Sequence, residues 1–147
     1  MVVVVDANVI LSAIVNTHGN IATLLITNSS IVDFVIPEFS LVEIKEKEKK
    51  LYFSQKVSSA IFNENLQSFL SCLTVVGDEQ IDEEYFKAAY ALTKEVDPKD
   101  TMYIALTMAL DALLWTGDLK LFRAIRKKGF NQVINTKELQ QIVKGIQ

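Results

Sequence analysis

Short apolar runs alternate along this chain with longer stretches whose apolar positions recur at helical spacing. Val2 to Val5 is a continuous β-branched run, too short for a helix and suited to a strand buried on both faces, and Asp6 ends it. From Asn8 the apolar residues Val9, Ile10, Ala13 and Ile14 follow a helical period until NTHG and Asn20 break it. A second short helix is expected through Ala22, Leu24, Leu25 and Ile26 up to the turn signal NSS. Phe34 to Ile36 reads as the next strand, closed by Pro37, which has no N–H to donate. Glu38 to about Leu70 is expected to form two helices, with the charge run KEKEKK exposed near their junction, and Leu73 to Val76 a third strand.

The second half repeats the alternation. Asp82 to about Glu95 is amphipathic, with Tyr85, Ala88, Ala89 and Leu92 on one face, and it stops ahead of Pro98. Another helix opens close to Asp100 with Ile104, Ala105, Met108 and Ala109 facing inward. Ala112 to Trp115 reads as a strand, Leu119 to Lys128 as a helix closed by Gly129, Gln132 to Ile134 as a short strand, and Thr136 onward as a final helix. Strands separated by helices predict a three-layer α/β/α fold around a mainly parallel sheet.

Composition narrows this picture. A chain of 147 residues, half of them apolar, with five Gly and two Pro, suits one packed domain over 1–147 without long linkers. The start lacks the basic region of a signal peptide, and no stretch approaches the roughly 18 uninterrupted apolar residues of a spanning helix. A cytoplasmic protein with no membrane association is expected. The lone Cys72 cannot form an internal disulfide, and its apolar setting predicts a buried structural thiol. His18 is the only histidine and sits in a polar turn, so triad and zinc chemistry lack their residues.

The net charge of −3 argues against general nucleic-acid affinity, but the charge is uneven. After Asp118 come Lys120, Arg123, Arg126, Lys127, Lys128, Lys137 and Lys144 against the single acid Glu138. Such a segment forms either a solvated helix face or a basic rim for a phosphate-bearing substrate, with Lys120, Arg123 and Lys127 as the candidate contacts. Against it stand four acidic stations: Asp6 with Asn8, Glu43, Asp97 with Asp100, and Asp118. Two of them directly follow strand-like runs, and a parallel sheet delivers its strand ends to one crevice. Carboxylates meeting there without basic partners repel one another, which makes sense as a cage for a hard divalent cation, Mg²⁺ or Mn²⁺. Each station also has a plainer reading. Asp100 and Asp118 stand where helix N-caps belong, Asp97 precedes Pro98 as turn residues do, and Glu43 suits any surface helix, although its apolar neighbours Leu41, Val42 and Ile44 suggest partial burial.

The order D-x-N after the first strand, a mid-chain Glu on a helix, D-x-x-D opening a later helix and T-G-D after the next strand resembles the PIN-domain ribonucleases, from Val2 to at least Phe122. The resemblance implies a metal-dependent endoribonuclease, with Asp6, Glu43, Asp100 and Asp118 on the positions of the family's acidic quartet. Asp97 stands where some members have a further acid, orienting Asp100 or holding outer-shell water, and Asn8 and Thr116 match polar positions near the metal. It also implies that the strands bearing Asp6 and Asp118 lie side by side, that the chain forms a homodimer, and that it is either the toxin of a toxin/antitoxin pair, with an antitoxin protein as partner, or an RNA-processing enzyme. The chemistry agrees, because Mg²⁺ or Mn²⁺ supplies both an activated water and charge stabilisation for phosphodiester hydrolysis. Two other functions stay open: a haloacid-dehalogenase-like phosphatase with Asp6 as nucleophile and Lys99 nearby, and a non-catalytic module of the same fold that binds RNA or protein. Trp115, Phe34, Phe69 and Phe122 are expected in the core rather than as base-stacking platforms.

Overall fold

The computed structural model describes residues 1–54 and 57–146. Its strands are β1 (Val2–Val5), β2 (Asp33–Pro37), β3 (Leu73–Val76), β4 (Leu113–Trp115) and β5 (Val133–Ile134). Its α-helices are α1 (Ala7–Val15), α2 (Asn20–Asn28), α3 (Phe39–Phe53), α4 (Ser59–Leu70), α5 (Glu83–Thr93), α6 (Thr101–Ala109), α7 (Leu119–Lys127) and α8 (Thr136–Ile146). Tight 3₁₀ turns at Asp78–Gln80 and Pro98–Asp100 precede α5 and α6. Among the described residues, the strands form one sheet in the order β3-β2-β1-β4-β5, and every pairing is parallel.

Parallel strands need helical crossovers, so both faces of the sheet are covered and its centre is apolar. Val3, Val4 and Val5 are fully buried, as are Leu114 and Trp115 on the neighbouring strand. On one face α6 lies against β1, β2 and β4 with α5 packed outside it, while α1 packs with α2, α3 and α4 in the other layer. Phe34 and Trp115 approach with ring centroids 6.0 Å apart, and the buried indole N–H donates to Thr136 Oγ1 at 3.1 Å. The three-layer fold is the one expected, and Phe34, Phe69 and Trp115 are core residues. Phe122 is half-buried, with the Arg126 guanidinium stacked 4.1 Å from its ring centre.

Two expectations need correction. The charge run from Lys45 to Lys50 is close to the end of α3, as expected, but it lies wholly within that helix, which continues to Phe53, and Lys47 and Glu48 in it are half-buried rather than exposed. Glu and Lys are good helix formers, and Lys45–Glu48 and Glu43–Lys47 pair at helical spacing. The second helix opens instead at Ser58, whose hydroxyl accepts from the Ile61 N–H. Cys72 is half-buried rather than buried. It leads into β3, an edge strand with Thr74 and Val75 exposed, so one side of this apolar stretch has nothing to pack against.

The winding order decides where a site can form. From β1 the chain builds outward through β2 and β3, then returns to place β4 and β5 on the other side of β1. The carboxyl ends of β1 and β4 therefore flank the point where the winding reverses, the usual crevice of an open α/β sheet. Gly129 closes α7 at φ +93°, and a methyl group added there meets no atom within 4 Å. Gly129→Ala is therefore a purely conformational test. It should destabilise the fold by about 1–2 kcal/mol in urea melts, and an unchanged midpoint would contradict the left-handed cap.

Candidate active site

The register of β1 on β4 aligns Val5 with Trp115, so the residues that follow, Asp6 and Thr116, emerge together. The Asp6 N–H donates to the Trp115 carbonyl at 3.1 Å, extending the ladder by one bond. Thr116, fully buried, then donates its hydroxyl to Asp6 Oδ2 at 2.8 Å and accepts from the Asp118 N–H at 3.0 Å. One hydroxyl thus joins the first acid to the loop that carries the last. Asp6 Oδ1 accepts from the Asn8 N–H at 3.1 Å at the start of α1, and the side chain is only 2% exposed.

Glu43 arrives from α3. Ser40, Glu43 and Lys47 are spaced by three and four residues and so share one helix face. Glu43 Oε2 accepts from the Tyr103 hydroxyl of α6 at 3.0 Å, and that hydroxyl accepts from Ser40 Oγ at 3.1 Å and from the Ala7 N–H at 3.3 Å. This buried phenol ties α3, α6 and the start of α1 into one hydrogen-bonded unit. On the other side of Glu43, Lys47 Nζ lies 3.8 Å from Oε1 and donates to Asn8 Oδ1 at 2.9 Å. The acids are thus not without a basic partner, as their sequence setting suggested.

Asp100 and Asp118 behave differently as helix caps. Asp118 Oδ1 accepts from the N–H groups of Lys120 and Leu121 and caps α7 as N-cap aspartates do. Asp100 occupies the cap position of α6 without making a side-chain cap bond, and its Oδ2 is buried with no hydrogen-bond partner among the described residues. A buried, unpartnered carboxylate oxygen is costly. Burial first, then the charges of Asp6, Asp97, Asp118 and Glu43, push its pKa up to about 7. Asp6 is also raised, mainly by burial and further by Glu43, against the pull of its hydrogen bonds to Thr116 and Asn8 and of Lys47. Asp97 is exposed and accepts from the Lys99 N–H at 3.0 Å, so it turns the chain before α6 and acts on Asp100 through charge rather than through a side-chain bond.

The donor set is all oxygen, which suits a hard divalent cation, and the orphaned Asp100 oxygen is an acceptor that such a cation would satisfy. Among the described residues, however, no group of three or more acidic, His or Cys side chains is drawn together tightly enough to hold an ion as it stands. The carboxylates feel one another's charge without closing on a common point. Beside them an open groove of about 610 Å³ runs along α1, lined by Asn8, Val9, Leu11, Ser12, Val15, Ile21, Leu51, Gly117 and Asp118. Lys120, Arg123 and Lys127 are exposed on α7 and form no ion pair among the described residues. Arg126 and Lys128 are engaged, with Glu138 at 2.9 Å and Glu95 at 3.7 Å.

The sequence matches the family model of the PIN domain over residues 4–141. The chain belongs to the PIN-domain family. Solved structures of similar fold include VapBC2 from Rickettsia felis bound to a DNA fragment from its promoter, at 18% identity and TM-score 0.65, covering 92% of this chain and 97% of that one. PAE2754 from Pyrobaculum aerophilum is similar at 16% identity and TM-score 0.69, covering 97% and 89%. VapBC-1 from nontypeable Haemophilus influenzae is similar at 20% and 0.59, covering 93% and 99%. At these identities the likeness is one of fold. Comparison with curated proteins finds no match.

Sequence reasoning about this PIN domain missed Ser40, Lys47 and Tyr103. Helical spacing from Glu43 was the available signal for the first two, and Tyr103 stands three residues after Asp100. The electrostatics generate a pH test. An unfolded aspartate titrates near ~3.9, so folding raises the pKa of Asp100 and the folded state holds its proton more tightly. That contribution to stability is complete below about pH 4 and is lost as pH rises to about 7. In EDTA, the protein should lose about 1–2 kcal/mol between pH 5 and pH 8, a value discounted for solvent screening of a half-exposed group. Asp100→Asn should flatten that slope, with Asp6 supplying the remainder. Identical slopes in urea melts of the two proteins would show that Asp100 is not under this strain.

Proposed function

We propose that the chain is a single metal-dependent PIN nuclease domain that hydrolyses phosphodiester bonds in RNA, with Asp6, Glu43, Asp100 and Asp118 as its catalytic carboxylates. One observation supports the reading: Asp6, Glu43 and Asp118, distant in sequence, all act through charge on Asp100, whose buried Oδ2 has no hydrogen-bond partner among the described residues. A fold has no structural use for such repulsion. PIN domains are generally nucleases and depend on divalent metals, which is consistent with this cluster.

In this reading Asp6 and Asp118 hold Mg²⁺ or Mn²⁺, with Glu43 and Asp100 completing the set directly or through water. The cation, when bound, supplies an activated water and offsets the charge that develops on the phosphoryl oxygens. The protein's own part is orientation. Thr116 fixes Asp6 and the Asp118 loop relative to each other, Tyr103 fixes Glu43, and Asn8 closes the edge of the groove. Asp97 adds negative charge near Asp100. Lys120, Arg123 and Lys127 offer exposed cations to substrate phosphates along α7.

The VapBC neighbours support a toxin whose partner is an antitoxin protein; the homodimer rests on the family resemblance alone. Among the described residues no single helix is long and apolar enough to cross a membrane; the cytoplasmic location is part of the proposal. The PIN-domain match favours the nuclease over the phosphatase alternative, which would need Asp6 as its nucleophile.

Purified protein should cleave single-stranded RNA with Mg²⁺ or Mn²⁺ and stop in EDTA. Asp6→Asn and Asp118→Asn should each lower the rate by about 100-fold or more while remaining folded. Cleavage that persists in EDTA, or survives both substitutions, would refute the mechanism, and RNA binding without any cleavage by the wild type would favour a binding module. Replacing Lys120, Arg123 and Lys127 by Gln should weaken RNA binding without sequence preference and flatten its salt dependence. Unchanged affinity at low salt would return these residues to the ordinary surface.

A further inference from the structure

Of the charge run on α3, one lysine is turned into the acidic site. Lys45 is engaged by Glu48 and Asn63 and lies over the Phe62 ring, and Lys49 and Lys50 are exposed. Lys47 is half-buried, with its ammonium 2.9 Å from Asn8 Oδ1 and 3.8 Å from Glu43 Oε1. Its charge reaches Asp6 as well, favouring the ionised carboxylate. Leu51, one turn further along α3, lines the groove beside Asn8 and Asp118, so this face of the helix forms a wall of the site.

The two oxygens of Glu43 are held in unlike ways. Oε2 is fixed by the buried Tyr103 hydroxyl, a neutral donor embedded in the core. Among the described residues Oε1 faces only a lysine at the end of a flexible stem, and that side chain is 37% exposed. The first contact is structural and the second can be exchanged.

We propose that Lys47 is the resident counter-cation of the acidic site, and that its ammonium and a divalent ion exclude one another at Glu43. The inference rests on the metal-dependent reading of the acids and adds a determinant of how tightly they take the ion. An ammonium 3.8 Å from Glu43 neutralises part of the charge that attracts the ion and repels the ion itself. The long stem lets Lys47 swing toward solvent when an ion is loaded. Lys47 is thus a positioning residue, and it sets the ion concentration at which the site fills.

The test uses Mn²⁺ alone, without RNA, on the whole chain at low salt. Mn²⁺ binding is read by isothermal titration calorimetry and by water-proton relaxation for wild type, Lys47→Met, Lys47→Gln and Lys47→Arg. The Met and Gln variants should bind Mn²⁺ about 10-fold more tightly and the Arg variant within about 2-fold of wild type. In EDTA the Met variant should melt lower than wild type, and saturating Mn²⁺ should restore it. A lysine with a merely structural role would lower stability in both conditions and leave Mn²⁺ affinity unmoved. Wild-type binding with unchanged or weaker affinity in Lys47→Met and Lys47→Gln overturns the inference and leaves the acidic metal site standing. So does unchanged Mn²⁺ affinity accompanied by weakened RNA binding in EDTA, which would make Lys47 a substrate contact. Absence of Mn²⁺ binding in wild type and variants alike overturns both the inference and the metal-site reading.

Discussion

Negative charge that the fold neutralises only in part, through Lys47, is the constraint around which this molecule is arranged. Carboxylates are brought to the carboxyl ends of β1 and β4, where burial and mutual repulsion raise Asp6 and push Asp100 up to about 7. The arrangement holds because other parts of the structure overdetermine it. The β1/β4 ladder has no freedom of register, since Val3, Val4, Val5, Leu114 and Trp115 are all fully buried, and a slip of one residue would turn each side chain to the other face. Once that register is set, Asp6 and Thr116 must meet.

Two hydroxyls then do most of the positioning. Thr116 joins Asp6 to the loop of Asp118, and Tyr103 joins Glu43 to Ser40 and to the first turn of α1. Both are buried, where an unmade hydrogen bond is costly, so each holds its carboxylate in one orientation. Asp118 has a dual character: one oxygen caps α7, which makes the acid a structural residue whatever else it does. Asp100 has no such employment. Its buried Oδ2 has no partner among the described residues, and this favours the proposed site over a set of helix caps.

The strands and their parallel sheet were legible because they rest on local signals, β-branched runs and breaks at NTHG and Pro98, and the acids stood out as candidates because two of them directly follow strands. Lys47 was hidden in a run of charges that composition alone describes as solvated; only the helical phase from Glu43 distinguishes it from Lys45 or Lys49. Tyr103 was not singled out, since sequence shows the ring but not where its hydroxyl ends. Asp97 and Asp100 were legible as a pair but not in their division of labour. Which of them caps a turn depends on the 3₁₀ geometry of Pro98–Asp100 rather than on residue type. Cys72 failed for the reason edge strands often mislead, because apolar sequence does not reveal which side lacks a neighbour.

The central claim is that these acids form one divalent-cation site rather than separate caps and turns. Anomalous diffraction from crystals soaked in Mn²⁺ tests it directly. The account predicts a Mn²⁺ peak among Asp6, Glu43, Asp100 and Asp118, with the Lys47 ammonium withdrawn from Glu43. A map with no Mn²⁺ within reach of Asp6 and Asp118, at concentrations that fill ordinary Mn²⁺ sites, would contradict it.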